Sequence, residues 1–202
     1  KDIEYDFLGN IDEVTFFSDH FSVNQEGFYE ALEIGSNFHK SEVLNYWQNR
    51  TFYNGLHRLF IKRLSTERRL TSSNALQRND WPEQNPIYKL NQSESLTQQL
   101  SDYFHQAFGS DLIVNRNDMR TIPLHIGQAP DKTTFTIANQ DEYYNQVNNL
   151  PKLQDQGDGM RSFASILLDT FTSEYSITLI DEPEAFLHPP QARILGKMLA
   201  KN

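Results

Sequence analysis

The sequence predicts an α/β fold, because a helix, a short buried strand, an acidic turn and a second helix follow one another near its C-terminus. Apolar residues recur at helical spacing from Met160 to Phe171, and a β-branched run reaches Ile180. The run stops at Asp181-Glu182, and Pro189-Pro190 then opens a second amphipathic stretch. In α/β folds ligands bind at the carboxyl ends of strands, so we expect a site at the acidic residues.

Composition restricts the class of protein. The 202 residues are 38% hydrophobic and 12% aromatic, which is enough to bury a core of ordinary domain size. A formal net charge of -9 excludes a generally basic surface, so nucleic acid would have to bind at a local patch. The absence of Cys excludes disulfides and fits a reducing compartment, and we expect a cytoplasmic protein. No apolar run approaches the roughly 20 residues of a membrane span, so no membrane partner is expected.

Residues 1–40 are interpreted as an antiparallel β portion of the core. Apolar and polar residues alternate from Ile3 to about Phe17 and are interrupted by Gly9-Asn10. This pattern is typical of half-buried strands joined by a turn. We therefore expect antiparallel strands from Lys1 to about Ile34.

Residues 41–150 are interpreted as a helical lobe with an insertion and short strands. Apolar residues at helical spacing from Ser41 to Leu64 predict a buried helical stripe, and the polar stretch from Ser65 to Gln92 predicts a loop. Ser95 and Gln98 form a capping-box pattern before a helix that Gly109 ends. The short strands are expected at 112–114, 124–126 and 133–137.

Two adjacent carboxylates end the predicted C-terminal strand. Neighbouring side chains leave a strand in opposite directions, so Asp181 and Glu182 can do different work. Asp181 can hold Mg²⁺, while Glu182 can orient or deprotonate a water molecule that attacks a γ-phosphate. An isolated acidic pair after an apolar run is more often structural or merely solvated.

A glycine-containing turn precedes the helix that leads to this strand. Gln156-Gly157-Asp158-Gly159 lies directly before the apolar stripe that starts at Met160. Backbone N–H groups and the positive end of a helix dipole favour an anion there, such as a nucleotide phosphate. A Gly-x-Gly before a helix is also common as a plain turn and cap.

Together the two segments resemble the signature motif, Walker B strand and D-loop of ABC-class ATPases. The resemblance covers Gln156 to Leu199 and is strongest to the branch with chromosome-segregation, recombination-repair and overcoming-lysogenization-defect (OLD) ATPases. It implies a partial ABC-type ATPase core, with an antiparallel β subdomain and an inserted helical lobe. Residues 151–202 would form the signature helix, the Walker B strand and the following helix.

The resemblance also implies a role for each residue of the two segments. Asp181 would be the Walker B aspartate that holds Mg²⁺, Glu182 the catalytic glutamate, and His188 part of the D-loop. ATP would be shared between the protomers of a homodimer or higher oligomer, and hydrolysis would be coupled to nucleic acid in DNA repair or antiviral defence. The residues implied to contact nucleotide across the dimer are Gln156, Gly157, Asp158, Gly159, Met160 and Arg161.

Three features depart from the family pattern. Gly157 stands where a signature serine is usual, and His188 replaces the aspartate common in transporter D-loops. A G-x-x-x-x-G-K-S/T phosphate loop is missing, because the stretch from Gly35 to Ser41 is one residue short and lacks the second glycine. We expect this loop upstream of Lys1 or on a partner chain, and we expect residues 1–202 alone to be inactive.

Alternatives stay open at this point. The chain can instead be a non-catalytic interaction module on a degenerate ATPase scaffold, or an ATPase regulator of a separate nuclease effector. The basic stretch from Arg58 to Arg69 can touch nucleic acid, but we interpret it as a solvated face whose stems cover apolar surface. Arg161 suits a phosphate contact and an ion pair equally well, and no two His have the spacing of metal ligands.

Overall fold

A computed structural model describes residues 21–23, 29–31, 36–38, 61–77, 85–130, 140–172 and 177–201. Within these ranges the chain is mixed α/β, with six α-helices and nine short strands, and the predicted α/β class is confirmed at this level. The chain divides into two units, residues 1–62 with 175–177 and residues 63–174 with 178–202. Among the described helices, none has both the length and the apolar content needed to span a membrane.

Three strands in the first unit form an antiparallel sheet. These are β1 (Phe21–Val23), β2 (Tyr29–Ala31) and β3 (Ser36–Phe38), paired in that order. Phe21 lies opposite Ala31, and Tyr29 lies opposite Phe38. This pairing agrees with the antiparallel strands predicted here, whereas those predicted within residues 1–20 lie outside the described residues.

The segment that follows residue 60 differs from prediction. β4 (Ile61–Leu64) is a strand, although the apolar spacing predicts helix up to Leu64. The predicted loop instead contains α1 (Thr66–Ser72), β5 (Leu76–Gln77) and α2 (Pro86–Gln92). The helical stripe predicted within residues 41–60 lies outside the described part of the chain.

Local caps explain why this polar stretch forms two helices. The Ser65 side chain accepts a hydrogen bond from the Arg68 N–H at the start of α1. The Asn85 side chain accepts one from the Ile87 N–H at 2.9 Å, and Pro86 occupies the first turn of α2. A side-chain cap stabilises a helix by about 1 kcal/mol, and Ile87 and Leu90 bury the apolar side of α2.

The helix predicted before Gly109 is confirmed. The capping residue of α3 (Glu94–Phe108) lies two residues earlier than predicted: Ser93, not Ser95, accepts a hydrogen bond from the Leu96 N–H at 3.2 Å. Gly109 ends α3 with a φ of 68°, and its N–H donates to the His105 oxygen. Only glycine adopts this left-handed conformation without a steric cost.

α3 packs against a strand pair. β6 (Asp111–Val114) and β8 (Leu124–Gly127) are antiparallel, with Leu112 opposite Ile126, and β7 (Thr121–Ile122) pairs with β5. The strands predicted at 112–114 and 124–126 are confirmed. The strand predicted at 133–137 lies outside the described residues.

The C-terminal order of elements is confirmed. After α4 (Gln140–Asn148) and a 3-10 turn (Leu153–Asp155) come α5 (Asp158–Thr172), β9 (Ile177–Ile180) and α6 (Pro189–Leu199). α5 is the centre of the core, since eight consecutive residues from Ser162 to Asp169 are buried. Phe163 contacts Phe108 edge to face, with ring centroids 5.3 Å apart.

β9 is less buried than the sequence predicts. Its residues Ile177, Thr178 and Ile180 are half-buried, and Leu179 is 53% exposed. Among the described strands β9 pairs with β4 alone, so its other edge has no described neighbour to cover it. The prediction of a buried strand is therefore wrong, while the strand itself is confirmed.

Candidate functional site

The acidic turn, residues 181–187, joins β9 to α6 through a tightly folded backbone. The Ala185 N–H donates to the Glu182 oxygen at 2.9 Å, and the Leu187 N–H donates to the Glu184 oxygen at 3.0 Å. Glu182 and Phe186 have φ values of 45° and 69°, which residues other than glycine rarely adopt. Such a conformation costs about 1–3 kcal/mol and persists only where surrounding contacts impose it.

Arg69 of α1 supplies such contacts. Its side chain is fully buried, at 0% exposed, and its guanidinium donates to the backbone oxygens of Asp181 and of Glu182, the latter at 3.0 Å. The Asp181 N–H in turn donates to the Leu64 oxygen at 3.2 Å. The backbone of the acidic pair is therefore held from two sides, while both acidic residues remain exposed.

The charge of Arg69 is balanced from the same turn. Burial lowers the pKa of Arg69 below its ordinary value, whereas the negative charges of Asp181, Glu182 and Glu184 raise it. The guanidinium stays protonated at neutral pH because arginine titrates only in strong base. An ion pair from Arg63 to Asp181 at 3.6 Å adds little, since the Arg63 side chain is 74% exposed.

The interpretation of the basic stretch as a solvated face is wrong for Arg69. Arg63 and Arg68 are exposed, as that interpretation expects, but Arg69 points into the protein and contacts the acidic turn. Nothing in composition or spacing separates Arg69 from its neighbour Arg68. Arg69 has this role because α1 lies beside the acidic turn, and the sequence pattern does not predict that arrangement.

The glycine turn, residues 156–160, lies against the acidic turn. A Cβ atom added to Gly159 would stand 2.7 Å from the Phe186 carbonyl oxygen, closer than such atoms approach, and 3.9 Å from Leu187. A Cβ atom added to Gly157 would meet nothing within 4 Å. Gly159 therefore permits the two turns to touch, whereas Gly157 has no packing reason to be glycine.

Gly157 marks the start of α5. Its carbonyl oxygen accepts hydrogen bonds from the N–H groups of Met160, at 3.1 Å, and Arg161, at 3.3 Å. The first backbone N–H groups of a helix have no partner within that helix. The start of α5 thus offers the donors and the dipole that favour an anion.

The remaining predicted residues have partners or packing of their own. Arg161 donates to the Leu70 oxygen and pairs with Asp158 at 3.3 Å, so the ion pair left open by the sequence is observed. Gln156 donates to the Lys152 oxygen at 3.0 Å. Met160 is half-buried against the core.

His188 lies at the boundary between the acidic turn and α6. It is exposed, and its carbonyl oxygen accepts from the Ala192 N–H at 3.0 Å, which starts the helix. Its side chain makes no capping hydrogen bond. The imidazole is therefore accessible to solvent, directly after Leu187 at the end of the acidic turn.

The donor set at the acidic turn suits one kind of metal site. The described residues contain no group of three or more His, Asp or Glu side chains that could hold an ion by themselves. Mg²⁺ usually takes only one or two carboxylates and completes its shell with phosphate oxygens and water. Asp181 supplies one exposed carboxylate, so a magnesium ion at this turn would need most of its ligands from phosphate oxygens and water.

A separate cavity of about 410 Å³ lies between α3, β6 and α4. Its polar wall is largely engaged in contacts within the protein: Arg116 pairs with Glu94 at 2.8 Å, and Asp111 accepts from the Ala129 N–H at 2.9 Å. None of the predicted site residues lines this cavity. The predicted site residues described by the structure lie instead at the acidic turn, at the glycine turn and at the ends of the two helices that follow them.

Comparison of the chain with models of protein families, with curated proteins and with solved structures gives no match. The functional assignment therefore depends on the residues and on their geometry. That geometry joins the glycine turn to the acidic turn through Gly159 and Phe186, and it adds Arg69, which the sequence pattern misses.

Proposed function

We propose that this chain is part of the ATP-binding and ATP-hydrolysing domain of an ABC-class ATPase. ATP-dependent dimerisation would couple hydrolysis to nucleic-acid processing, in DNA repair or anti-phage defence. The observation that carries the proposal is the contact of Gly159 with the Phe186 carbonyl. This contact fixes a helix N-terminus, which favours anions, relative to the two exposed carboxylates of the same chain. In a head-to-tail dimer the carboxylates would serve the ATP of their own protomer, and the helix N-terminus would serve the ATP of the partner protomer.

The two carboxylates would divide the work. Glu182 would act as general base on the attacking water, and Asp181 would help to hold Mg²⁺, which neutralises charge on the phosphates. Both side chains project from a backbone that Arg69 holds without the help of a ligand. In a head-to-tail dimer, the start of α5 at Gly157 would face the ATP of the partner protomer.

ATP binding would also need a phosphate-binding loop. Residues 1–202 contain no G-x-x-x-x-G-K-S/T sequence, so the loop would come from another segment of a longer polypeptide or from a partner chain. The start of α5 contributes backbone donors but cannot enclose a triphosphate by itself. We therefore place the hydrolytic activity in the polypeptide or complex that supplies this loop.

Substitution of Glu182 by Gln tests the proposal. In the ATPase that contains this chain, Glu182→Gln is expected to lower turnover by about 100-fold or more, because a positioned general base contributes about that much. ATP-dependent dimerisation, followed by size-exclusion chromatography with light scattering, should persist. Glu184→Gln is the matched control, since it removes a charge from the same turn and should retain turnover. Undiminished hydrolysis by Glu182→Gln would refute the assignment.

A second candidate, a non-catalytic interaction module, is favoured by exposed apolar side chains at the same place. Leu179 is 53% exposed and Phe186 is 50% exposed. Equilibrium binding of a fluorescent ATP analogue, with Mg²⁺ and with chelator, separates the candidates. Saturable binding supports the ATPase, and its absence from this chain and from every longer polypeptide that contains it supports the module. Nuclease activity that appears only when a separate chain is added would identify the regulator of a nuclease effector.

A further inference from the structure

We infer that Arg69 is a positioning residue for ATP hydrolysis: it holds the backbone of Asp181 and Glu182 in place and ties the acidic turn to the start of α5. This inference rests on the proposed function. It concerns a residue that belongs to neither of the two sequence motifs. Its support comes from the hydrogen bonds around α1.

One guanidinium reaches two consecutive carbonyl oxygens, those of Asp181 and Glu182. In an extended strand, successive carbonyl groups point to opposite sides. The left-handed φ of 45° at Glu182 changes that direction and brings both oxygens toward α1. The rigid, planar fork of arginine suits two such acceptors, whereas the single ammonium of lysine does not reproduce it.

The backbone of α1 is in turn held by α5. Ser165 donates from its hydroxyl to the Arg69 carbonyl oxygen at 2.5 Å, and Arg161 donates to the Leu70 carbonyl oxygen. Arg161 also pairs with Asp158 in the first turn of α5. The glycine turn then contacts the acidic turn at Gly159, so α1, α5 and the acidic turn form a closed ring of contacts.

A purely structural role does not explain why this position is charged. Removal of a guanidinium from water costs several kcal/mol, and apolar residues of similar volume often replace buried ions without loss of stability. Methionine could fill much of the same space between α1 and the core. What arginine adds is a fixed orientation for the two acidic residues, and that property matters for chemistry.

The experiment compares Arg69→Met with Arg68→Met in the ATPase that contains this chain. Arg68 is the adjacent, exposed arginine, so the control makes the same chemical change away from the turn. Arg69→Met is expected to lower kcat by about 10- to 100-fold, because small misplacements of reacting groups have effects of this size. The KM for ATP should change by less than about threefold, since Arg69 does not contact the proposed nucleotide. Arg69→Lys should recover little of the lost kcat.

Amide hydrogen exchange gives a readout that does not need ATP. The Ala185 and Leu187 N–H groups are hydrogen-bonded within the acidic turn. They should exchange faster in Arg69→Met than in the wild type, and at the wild-type rate in Arg68→Met. A merely structural role would instead accelerate exchange throughout α5 and leave kcat per folded molecule unchanged. That pattern would overturn the inference.

The outcomes separate this inference from the proposed function. If the wild type hydrolyses ATP and Arg69→Met retains its kcat, the inference is wrong and the proposed function stands. If the wild type neither binds nor hydrolyses ATP, the proposed function fails, and with it the catalytic meaning of Arg69. If Arg69→Met does not fold, Ser165→Ala decides, because it removes one bond to Arg69: a reduced kcat supports the inference, and a wild-type kcat overturns it.

Discussion

α3 and α5 are helices of fifteen residues each, but their ends are fixed in different ways. α3 begins at the Ser93 cap and ends at Gly109, so both boundaries depend on interactions with neighbouring residues. The start of α5 depends on Gly159, which permits contact with a carbonyl group beyond the next strand. The helix remote from the candidate site therefore has local boundaries, whereas the start of the helix at the site also depends on a tertiary contact.

The largest expected effect on stability is at the start of α5, where Gly159 contacts the acidic turn. Gly159→Ala places a methyl group 2.7 Å from the Phe186 oxygen, where the neighbour is backbone and cannot rotate away. We expect a loss of about 1–3 kcal/mol in the free energy of unfolding, as for other overpacked sites. Chemical denaturation followed by circular dichroism measures this change.

Gly157→Ala is the control for that substitution. A methyl group at Gly157 meets open space. The free energy of unfolding should therefore fall by less than about 1 kcal/mol, because alanine is a poorer capping residue than glycine. Equal destabilisation by the two variants would contradict the distinction between the two glycines.

A smaller effect is expected at the local end of α3. Gly109→Ala meets no neighbouring atom, so its cost arises from the φ of 68° alone, about 1 kcal/mol. Gly109→Asn should cost less, because asparagine tolerates the left-handed region better than alanine. Thermal unfolding midpoints of the three proteins should rank glycine, asparagine, alanine, and any other order would argue against a purely conformational origin.

The smallest expected effect on stability depends on pH and concerns the segment that precedes α5. His125 is buried, its Nδ1 lies 2.9 Å from the Leu150 oxygen, and burial lowers its pKa. The folded protein therefore keeps His125 neutral, while the unfolded chain takes up a proton near pH 6.5. Stability from this group is complete above that pH and falls as the pH drops below it, toward the pKa of the folded state.

Thermal unfolding between about pH 7.5 and about pH 5.5 measures this dependence. His125→Gln is expected to show a flatter decline than the wild type across this range, because it lacks the titrating group. Parallel profiles for the two proteins would show that other groups cause the decline. Leu150, whose carbonyl oxygen lies beside His125, belongs to the segment that leads into α5.

What the sequence predicts well is what depends on neighbouring residues. The stripe from Met160 to Phe171, the β-branched run to Ile180 and the stop at Gly109 predict α5, β9 and the end of α3 correctly. Local signals were also present where the prediction of a loop is wrong. Ser65 and Asn85 cap α1 and α2, but their polar surroundings mask the short apolar sides of these helices.

What the sequence misses depends on long-range contacts. The burial of Arg69 and the partial exposure of Leu179 follow from which elements lie beside them, and no spacing rule encodes that. The roles of Asp181 and Glu182 in binding a metal ion and activating water stay predictions. The geometry adds to them a fixed backbone and a contact with the start of α5.

The left-handed backbone at Glu182 has a consequence for entropy. With its main chain already confined by Arg69 and by the turn, Glu182 has only its side-chain dihedral angles left to order when a ligand arrives. That ordering costs up to about 2 kcal/mol, whereas a carboxylate on a mobile loop would add about 1–2 kcal/mol for each backbone residue that becomes fixed. The strained backbone conformation is present before any ligand binds. The entropy cost of ordering Glu182 therefore lowers the affinity for a ligand less than it would on a mobile loop.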